Sequence, residues 1–394
     1  MKNRIIILLA LLAVCISLYA DSIPSSFSRP LLWRVGVGVN PAYVPATNSF
    51  LEGYNLQDRK IHSSISASLQ ADFSFDANTR EGLLYRDLYQ GVAVGVNSFY
   101  SGSLIGTPVS VYVYQGAPIV RFSDRLWFGY EWQFGAAFGW RHYDRDKDDT
   151  NVALGSSTSA HMGLAFKLNY RIASRWHLAF GITGNHFSNG NSSWPNAGVN
   201  SIGASIGMAY VLGEQSTAKE TPQWLAAEAD RGRWFYDITA FGSWRKRIVT
   251  VGVGQDPQLS PGSFGVLGLQ LSPMRQLNRW VAAGVSLDFQ WDESSGIEPY
   301  WVEGTSGDDL RFYRPPFGKQ ISLGLSAHAE LTMPIFSVNV GIGYDLLSPI
   351  GNERFYQSLT LKTFVSKHIY LNTGYRLGSF RQPQNLMLGV GVRL

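Results

Sequence analysis

A histidine and a serine stand two residues apart in His186-Phe187-Ser188, at the end of a segment that alternates like a β-strand. Side chains two apart on a strand point the same way, so an imidazole and a hydroxyl share one face. A serine hydroxyl is a weak nucleophile unless an adjacent base takes its proton. The pair is therefore suited to attack on an acyl carbon. The turn that follows, Asn189-Gly190-Asn191 and then Pro195-Asn196-Ala197-Gly198, is rich in amides and glycine. Such a turn can offer N–H donors to a developing oxyanion.

The elements that must position this pair are long alternating strands. From Leu126 to Trp140 the even positions read Leu, Phe, Tyr, Trp, Phe, Ala, Phe, Trp, while the odd ones include Gly129, Glu131, Gln133 and Gly135. Ala160–Arg171, Trp280–Trp291, Ile321–Leu331, Phe336–Tyr344 and the closing Leu386–Leu394 repeat the pattern. A soluble sandwich also alternates, but with shorter strands whose polar faces look outward. Here the polar faces carry glycines and charges of both signs, as does the lumen of a transmembrane barrel with a greasy outside. Lipid requires every backbone group to be paired, hence a closed sheet.

The N-terminus supports export. Lys2 and Arg4 precede the apolar run Ile5–Val14, and Leu18-Tyr19-Ala20 offers a cleavage site before Asp21. The single cysteine, Cys15, lies in this segment, so the mature chain is expected to have neither disulfide nor thiol chemistry. The formal charge of +4 falls to +2 once Lys2 and Arg4 leave. That balance argues against nucleic acid as a partner, which wants a strong basic patch. No later segment supplies the roughly 18 uninterrupted apolar residues of a membrane helix.

Short connections (Ser123–Arg125, Ile172–Ser174, Met333-Pro334, Ser366–His368) alternate with long polar ones (His142–Ser159, Asn189–Val199, Gln255–Gly262, Asp292–Gln320). Barrels have short periplasmic turns and long outer loops. The fold class predicted is all-β, an antiparallel transmembrane barrel of about fourteen to sixteen strands, with two tandem eight-strand barrels as the alternative. The expected organisation is a signal peptide over 1–20, a barrel half carrying the His/Ser motif over 21–213, a polar periplasmic linker over 214–232 with a short helix near Gln223–Asp230, and a second set of strands over 233–394. Leu32–Asn40 and Ile65–Phe75 are the weakest strand candidates.

His186 and Ser188 share their parity with Trp176, Leu178, Phe180 and Ile182, and Asn200 shares its parity with Ile202, Ile206 and Met208. All three therefore face lipid, at the strand end next to a long loop. A polar trio facing the outer leaflet makes chemical sense where the substrate is itself a membrane lipid. In a Gram-negative outer membrane that lipid is lipopolysaccharide.

His186-Phe187-Ser188-Asn189-Gly190 with Pro195-Asn196-Ala197-Gly198 resembles the signature of the lipid A 3-O-deacylases, outer-membrane acyloxyacyl hydrolases that remove an ester-linked acyl chain from lipid A. The resemblance implies His186 as base and Ser188 as nucleophile. It also implies Asn196 and backbone N–H groups near Gly190 and Asn191 as oxyanion donors, with Asn189 in the same turn. It covers the motif closely and Gly91–Leu212 loosely; members of that family are eight-strand barrels, so residues after Glu214 lie beyond it. The family's third member is a carboxylate on the next strand, where this chain has Asn200. Asparagine can accept the Nδ1–H bond and hold the tautomer but cannot stabilise the imidazolium by charge. Asp148 and Asp149 on the neighbouring loop are the acids that could substitute.

Other features suggest less. Asp144-Arg145-Asp146-Lys147-Asp148-Asp149 lacks the Gly and Glu of a calcium loop and reads as a solvated loop. Glu131 and Lys167 read as an ion pair inside the lumen. The other histidines show no metal spacing, and no cofactor or metal is expected. The competing functional class is a non-catalytic barrel, either a pore or a lipid-binding structural protein.

Overall fold

The computed structural model describes residues 31–213, 220–251, 256–302, 304–305, 309–347, 354–380 and 382–394. The expected signal peptide and cleavage site lie outside the described residues.

Eight strands form the first barrel: β1 Leu31–Tyr43, β2 Ser63–Phe75, β3 Tyr89–Ser98, β4 Gly106–Arg121, β5 Leu126–Trp140, β6 Thr158–Arg171, β7 Trp176–Ser188 and β8 Val199–Leu212. Each pairs antiparallel with its neighbour, and β8 returns to β1 with Trp33 opposite Leu212 and Tyr43 opposite Ile202. The two weakest candidates, β1 and β2, are thus full strands, and β1 closes the sheet.

The remaining strands close separately. They are β9 Arg233–Arg245, a small hairpin of β10 Ile248–Val251 and β11 Asp256–Leu259, then β12 Phe264–Gln276, β13 Val281–Asp292, β14 Ile321–Thr332, β15 Phe336–Asp345, β16 Phe355–Phe364, β17 Ile369–Gly378 and β18 Gln382–Arg393. β18 pairs with β9, Val390 opposite Ala240, to complete a second eight-strand barrel. The expected single barrel therefore gives way to the alternative of two. Alternation is a local property common to both; closure depends on which distant strand β8 meets, and no local pattern encodes that. The chain divides into compact units 29–225 and 226–394. Helix α3 (Gln223–Ala229, following α1 Ser49–Glu52 and α2 Arg80–Leu84) occupies the stretch before β9. Asp230, just past it, accepts from Arg279 N, Nε and Nη2. The guanidinium hydrogen bonds hold its carboxyl below the usual range, so this anchor is present near neutrality and is lost in acid.

Both barrels are apolar outside and polar inside. Outward side chains such as Leu69, Val94, Phe180, Ile182 and Ile202 are exposed. An eight-strand barrel is narrow enough for side chains to fill it. Lys167 Nζ meets Glu131 Oε1 at 2.6 Å, as its sequence position suggested, and Tyr89 donates to the same carboxylate. Arg34 pairs with Asp72. In the second barrel Lys362 Nζ bridges Asp237 (2.7 Å) and Glu330 (2.6 Å), and Arg393 joins the same two carboxylates. Removing one member of a buried charge network costs roughly 3–5 kcal/mol, because the opposite charge is left unpaired. Lys362→Met is thus expected to lower the urea midpoint of the second barrel clearly. An unchanged midpoint would show that water reaches this network.

The long connections 44–62, 99–105, 141–157 and 189–198 gather at one end of the first barrel. They are not only polar. Phe50, Leu51, Leu104, Ile105, Ala153 and Leu154 form a fully buried cluster with Phe187 and Val199. Trp140, expected on the greasy outer face, belongs to this cluster instead, and its Nε1 donates to Ser159 Oγ at 2.9 Å. Gly139 has φ +95°, and both Gly139 N and Trp140 N reach Ser157 O. That is a bulge, and a bulge reverses side-chain parity.

Candidate functional site

Phe187 points into the loop-built core, so its neighbours His186 and Ser188 must point outward. β7 pairs with β6 and β8 in a register that sets Ser188 opposite Ala160, and His186 between Met162 and Asn200. His186 Nδ1 lies 2.7 Å from Asn200 Oδ1. An amide oxygen only accepts, so the ring carries its proton on Nδ1 and leaves Nε2 as the basic nitrogen. Among the described residues, His186 Nε2 and Ser188 Oγ make no hydrogen bond, to each other or to any other group, so both are uncommitted. Ser188 is 5% exposed although it lies on the outward face.

The connection 189–198 is tightly braced. Gly190 and Asn191 both have positive φ, 65° and 59°. Asn189 N–H donates to Asn196 Oδ1 (2.8 Å) and Asn189 Nδ2 to Pro195 O (3.0 Å), while Asn189 O accepts from Ser192 Oγ (2.6 Å). These bonds shape the loop, while Asn189 Oδ1, buried, has no hydrogen-bond partner among the described residues. Among the described residues Asn196 Nδ2 reaches Asn191 Oδ1 alone, at 3.3 Å, which leaves a weakly engaged amide donor beside Gly190 and Asn191.

Gly198 lies against the His186 ring. Its φ is +75°, and a Cβ there would lie 3.1 Å from His186 Cε1 and 3.0 Å from Phe187 O. The backbone at Gly198 thus backs the imidazole directly. Gly198→Ala combines a disfavoured backbone region with pressure on the ring. Turnover is expected to fall by about 10²-fold, as for a ~1 Å misplacement of a reacting group; initial-rate assays on a chain that still folds would check it. Wild-type turnover would mean the ring does not depend on this contact.

Asn200, and not a loop acid, is the residue that meets His186 Nδ1. Asp148 Oδ1 accepts from Thr150 N and Oγ1, and Asn200 already holds His186 Nδ1. Among the described residues no group of His, Cys, Asp and Glu is arranged to hold a metal. The same residue types recur as Ser326, His328 and Asn339 in the second barrel: Ser326 Oγ is 2.8 Å from His328 Nε2, and His328 Nδ1 is 2.6 Å from Asn339 Oδ1. That trio faces the lumen, is buried, and its serine proton goes to Asp288 Oδ2 (2.7 Å). It is part of the polar filling, with a hydroxyl already committed.

Sequence reasoning placed His186, Ser188 and Asn200 on one face of neighbouring strands and Asn196 in the turn between them, and the register agrees with that placement. The same reasoning missed Asn48, whose Nδ2 donates to Gly198 O at 3.1 Å across 150 positions. It also missed the apolar support under the loops. The signal for the support was present in Phe50-Leu51, Leu104-Ile105 and Val152-Ala153-Leu154, greasy runs inside connections that otherwise read as solvated.

No curated protein sequence matches the chain. Solved structures resembling it include the siderophore receptor PirA from Pseudomonas aeruginosa, with 10% identity over 92% of this chain and 80% of that one at a TM-score of 0.27. A porin from Rh. blastica has 9% identity over 92% and 100% at a TM-score of 0.17. Likeness this distant carries no functional argument. The family models are specific: residues 65–209 match "Lipid A 3-O-deacylase (PagL)" and residues 234–394 match "Acyloxyacyl hydrolase, C-terminal domain". The first match contains the His/Ser hairpin and the second spans the strands of the second barrel, so the chain belongs to the lipid A 3-O-deacylase and acyloxyacyl hydrolase family and is a hydrolase.

Proposed function

We propose that the protein is an outer-membrane serine esterase that removes an ester-linked acyl chain from lipid A, with the site on the first barrel facing the outer leaflet. The observation that carries this is the 2.7 Å contact from His186 Nδ1 to Asn200 Oδ1, next to Ser188 on the apolar outer face. In this reading Ser188 Oγ attacks the acyl carbonyl carbon and His186 Nε2 takes its proton. Asn196 Nδ2 and the N–H groups of Gly190 and Asn191 stabilise the oxyanion. Collapse breaks the ester C–O bond, and His186 returns the proton to the leaving sugar hydroxyl. Water then hydrolyses the acyl-Ser188 ester by the same steps in reverse. The long loops of the first barrel face outward in this reading.

A barrel facing lipid explains why the machinery sits on the greasy surface. The charged pairs that fill both lumens speak against a passive pore. Lipopolysaccharide mass spectra from cells with and without the protein test the activity: loss of one ester-linked acyl mass is expected, and identical spectra would favour a non-catalytic barrel. The mature chain is expected in the outer-membrane fraction with heat-modifiable gel mobility; recovery in the soluble periplasm would overturn the placement.

A further inference from the structure

We infer that Asn48, on the β1–β2 connection and outside both family matches, is a positioning residue for the catalytic hairpin. The inference rests on the proposed His186/Ser188 mechanism and deepens it.

The two ends of this amide have separate tasks. Oδ1 accepts from Leu51 N at 3.1 Å and caps the single turn of α1. That fixes which way the amide points, so Nδ2 is the end that meets Gly198 O, at 3.1 Å. The cap is rigidly seated, because Phe50 and Leu51 are completely buried in the loop core that also holds Phe187 and Val199. Gly198 N–H donates to Ala153 O at 2.8 Å. Gly198 is thus clamped from two separate loops, close enough to the ring that a Cβ added there would lie 3.1 Å from His186 Cε1. Asn200 fixes the ring at Nδ1, while Asn48 fixes, through Gly198, the backbone that lies against the other side of the ring. Asn48 touches no reacting atom; it acts through the loop.

The division of labour provides a test that separates capping from positioning. Asn48→Asp keeps an excellent cap acceptor but sets a carboxylate oxygen against the Gly198 carbonyl where a donor stood. Asn48→Ser also keeps a cap but is too short to reach Gly198. Both variants, wild type and Ser188→Ala would be assayed on purified lipopolysaccharide, with heat-modifiable mobility as the folding check. The rate of Ser188 labelling by an alkyl fluorophosphonate would be read alongside.

Both Asn48 variants are expected to lose about tenfold or more in kcat and in labelling rate, with KM changed by less than about twofold, since displaced reacting groups cost turnover. Wild-type kcat and labelling in Asn48→Asp, with Ser188→Ala inactive, would overturn the role of Asn48 alone. A rise in KM with kcat unchanged would overturn it too, assigning Asn48 to substrate binding. Full activity in Ser188→Ala would overturn the mechanism and this inference together. Should Asn48→Asp fail to fold, Asn48→Ser decides by the same criteria.

Discussion

Ser188→Ala protein is expected to release no measurable fatty acid from lipopolysaccharide, and His186→Ala to be nearly as inactive, while both still show the heat-modifiable mobility of a folded barrel. The folding half of the expectation rests on position. Both side chains leave the outer face of β7, and the plug beneath them is built from Phe187 and loop residues that neither substitution touches. The catalytic half rests on interdependence: nucleophile and base act as a unit, so losing either costs nearly what losing both costs, up to about 10⁶ in kcat where this has been measured in a serine enzyme. The double variant should therefore be no worse than Ser188→Ala. Wild-type release by Ser188→Ala would remove Ser188 from the mechanism. Additive losses in the double variant would mean that the two residues work separately.

The sequence revealed some of this well and some not at all, for physical reasons. Strand identity and facing were legible because the side-chain period of a strand is two; a strand whose outer face meets lipid and whose inner face meets Glu131 or Asp237 must alternate. The His186–Ser188–Asn200 face was legible for the same reason, and register placed His186 opposite Asn200. What failed were properties that depend on distant partners. Closure into two barrels is decided by β8 meeting β1 and β18 meeting β9, pairings that leave no mark on either strand alone. Trp140 was misread because a single glycine bulge reversed its parity. Asn48 was invisible because its partner is a backbone carbonyl 150 residues away, and a carbonyl has no residue type to recognise. For Asn189 the residue type announces a donor in the turn but not its targets, and its N–H and Nδ2 donate within the turn itself.

Asn200 is where this chain departs from the carboxylate expected in its family, and its geometry makes a quantitative expectation possible. At 2.7 Å from Nδ1 the amide oxygen already selects the tautomer that leaves Nε2 basic, so the severe loss that follows a wrong tautomer, about 10⁴-fold, does not apply here. What the amide lacks is charge. Asn200→Asp keeps the shape and adds a negative charge beside the imidazolium that forms as Ser188 attacks. A unit pair ~4 Å apart at an effective dielectric of ~20 is worth about 4 kcal/mol, and exposure at this half-buried rim screens part of it. Against that stands the cost of a charge on the lipid face, about 0–1 kcal/mol near the interface. The balance favours the acid, so Asn200→Asp is expected to raise kcat by about tenfold. Asn200→Ala, which loses orientation as well as hydrogen bonding, should lower it by about 10²-fold or more. Equal rates in wild type, Asn200→Asp and Asn200→Ala would show that the ring is held without Asn200, and the Gly198 contact would then be what keeps His186 in place.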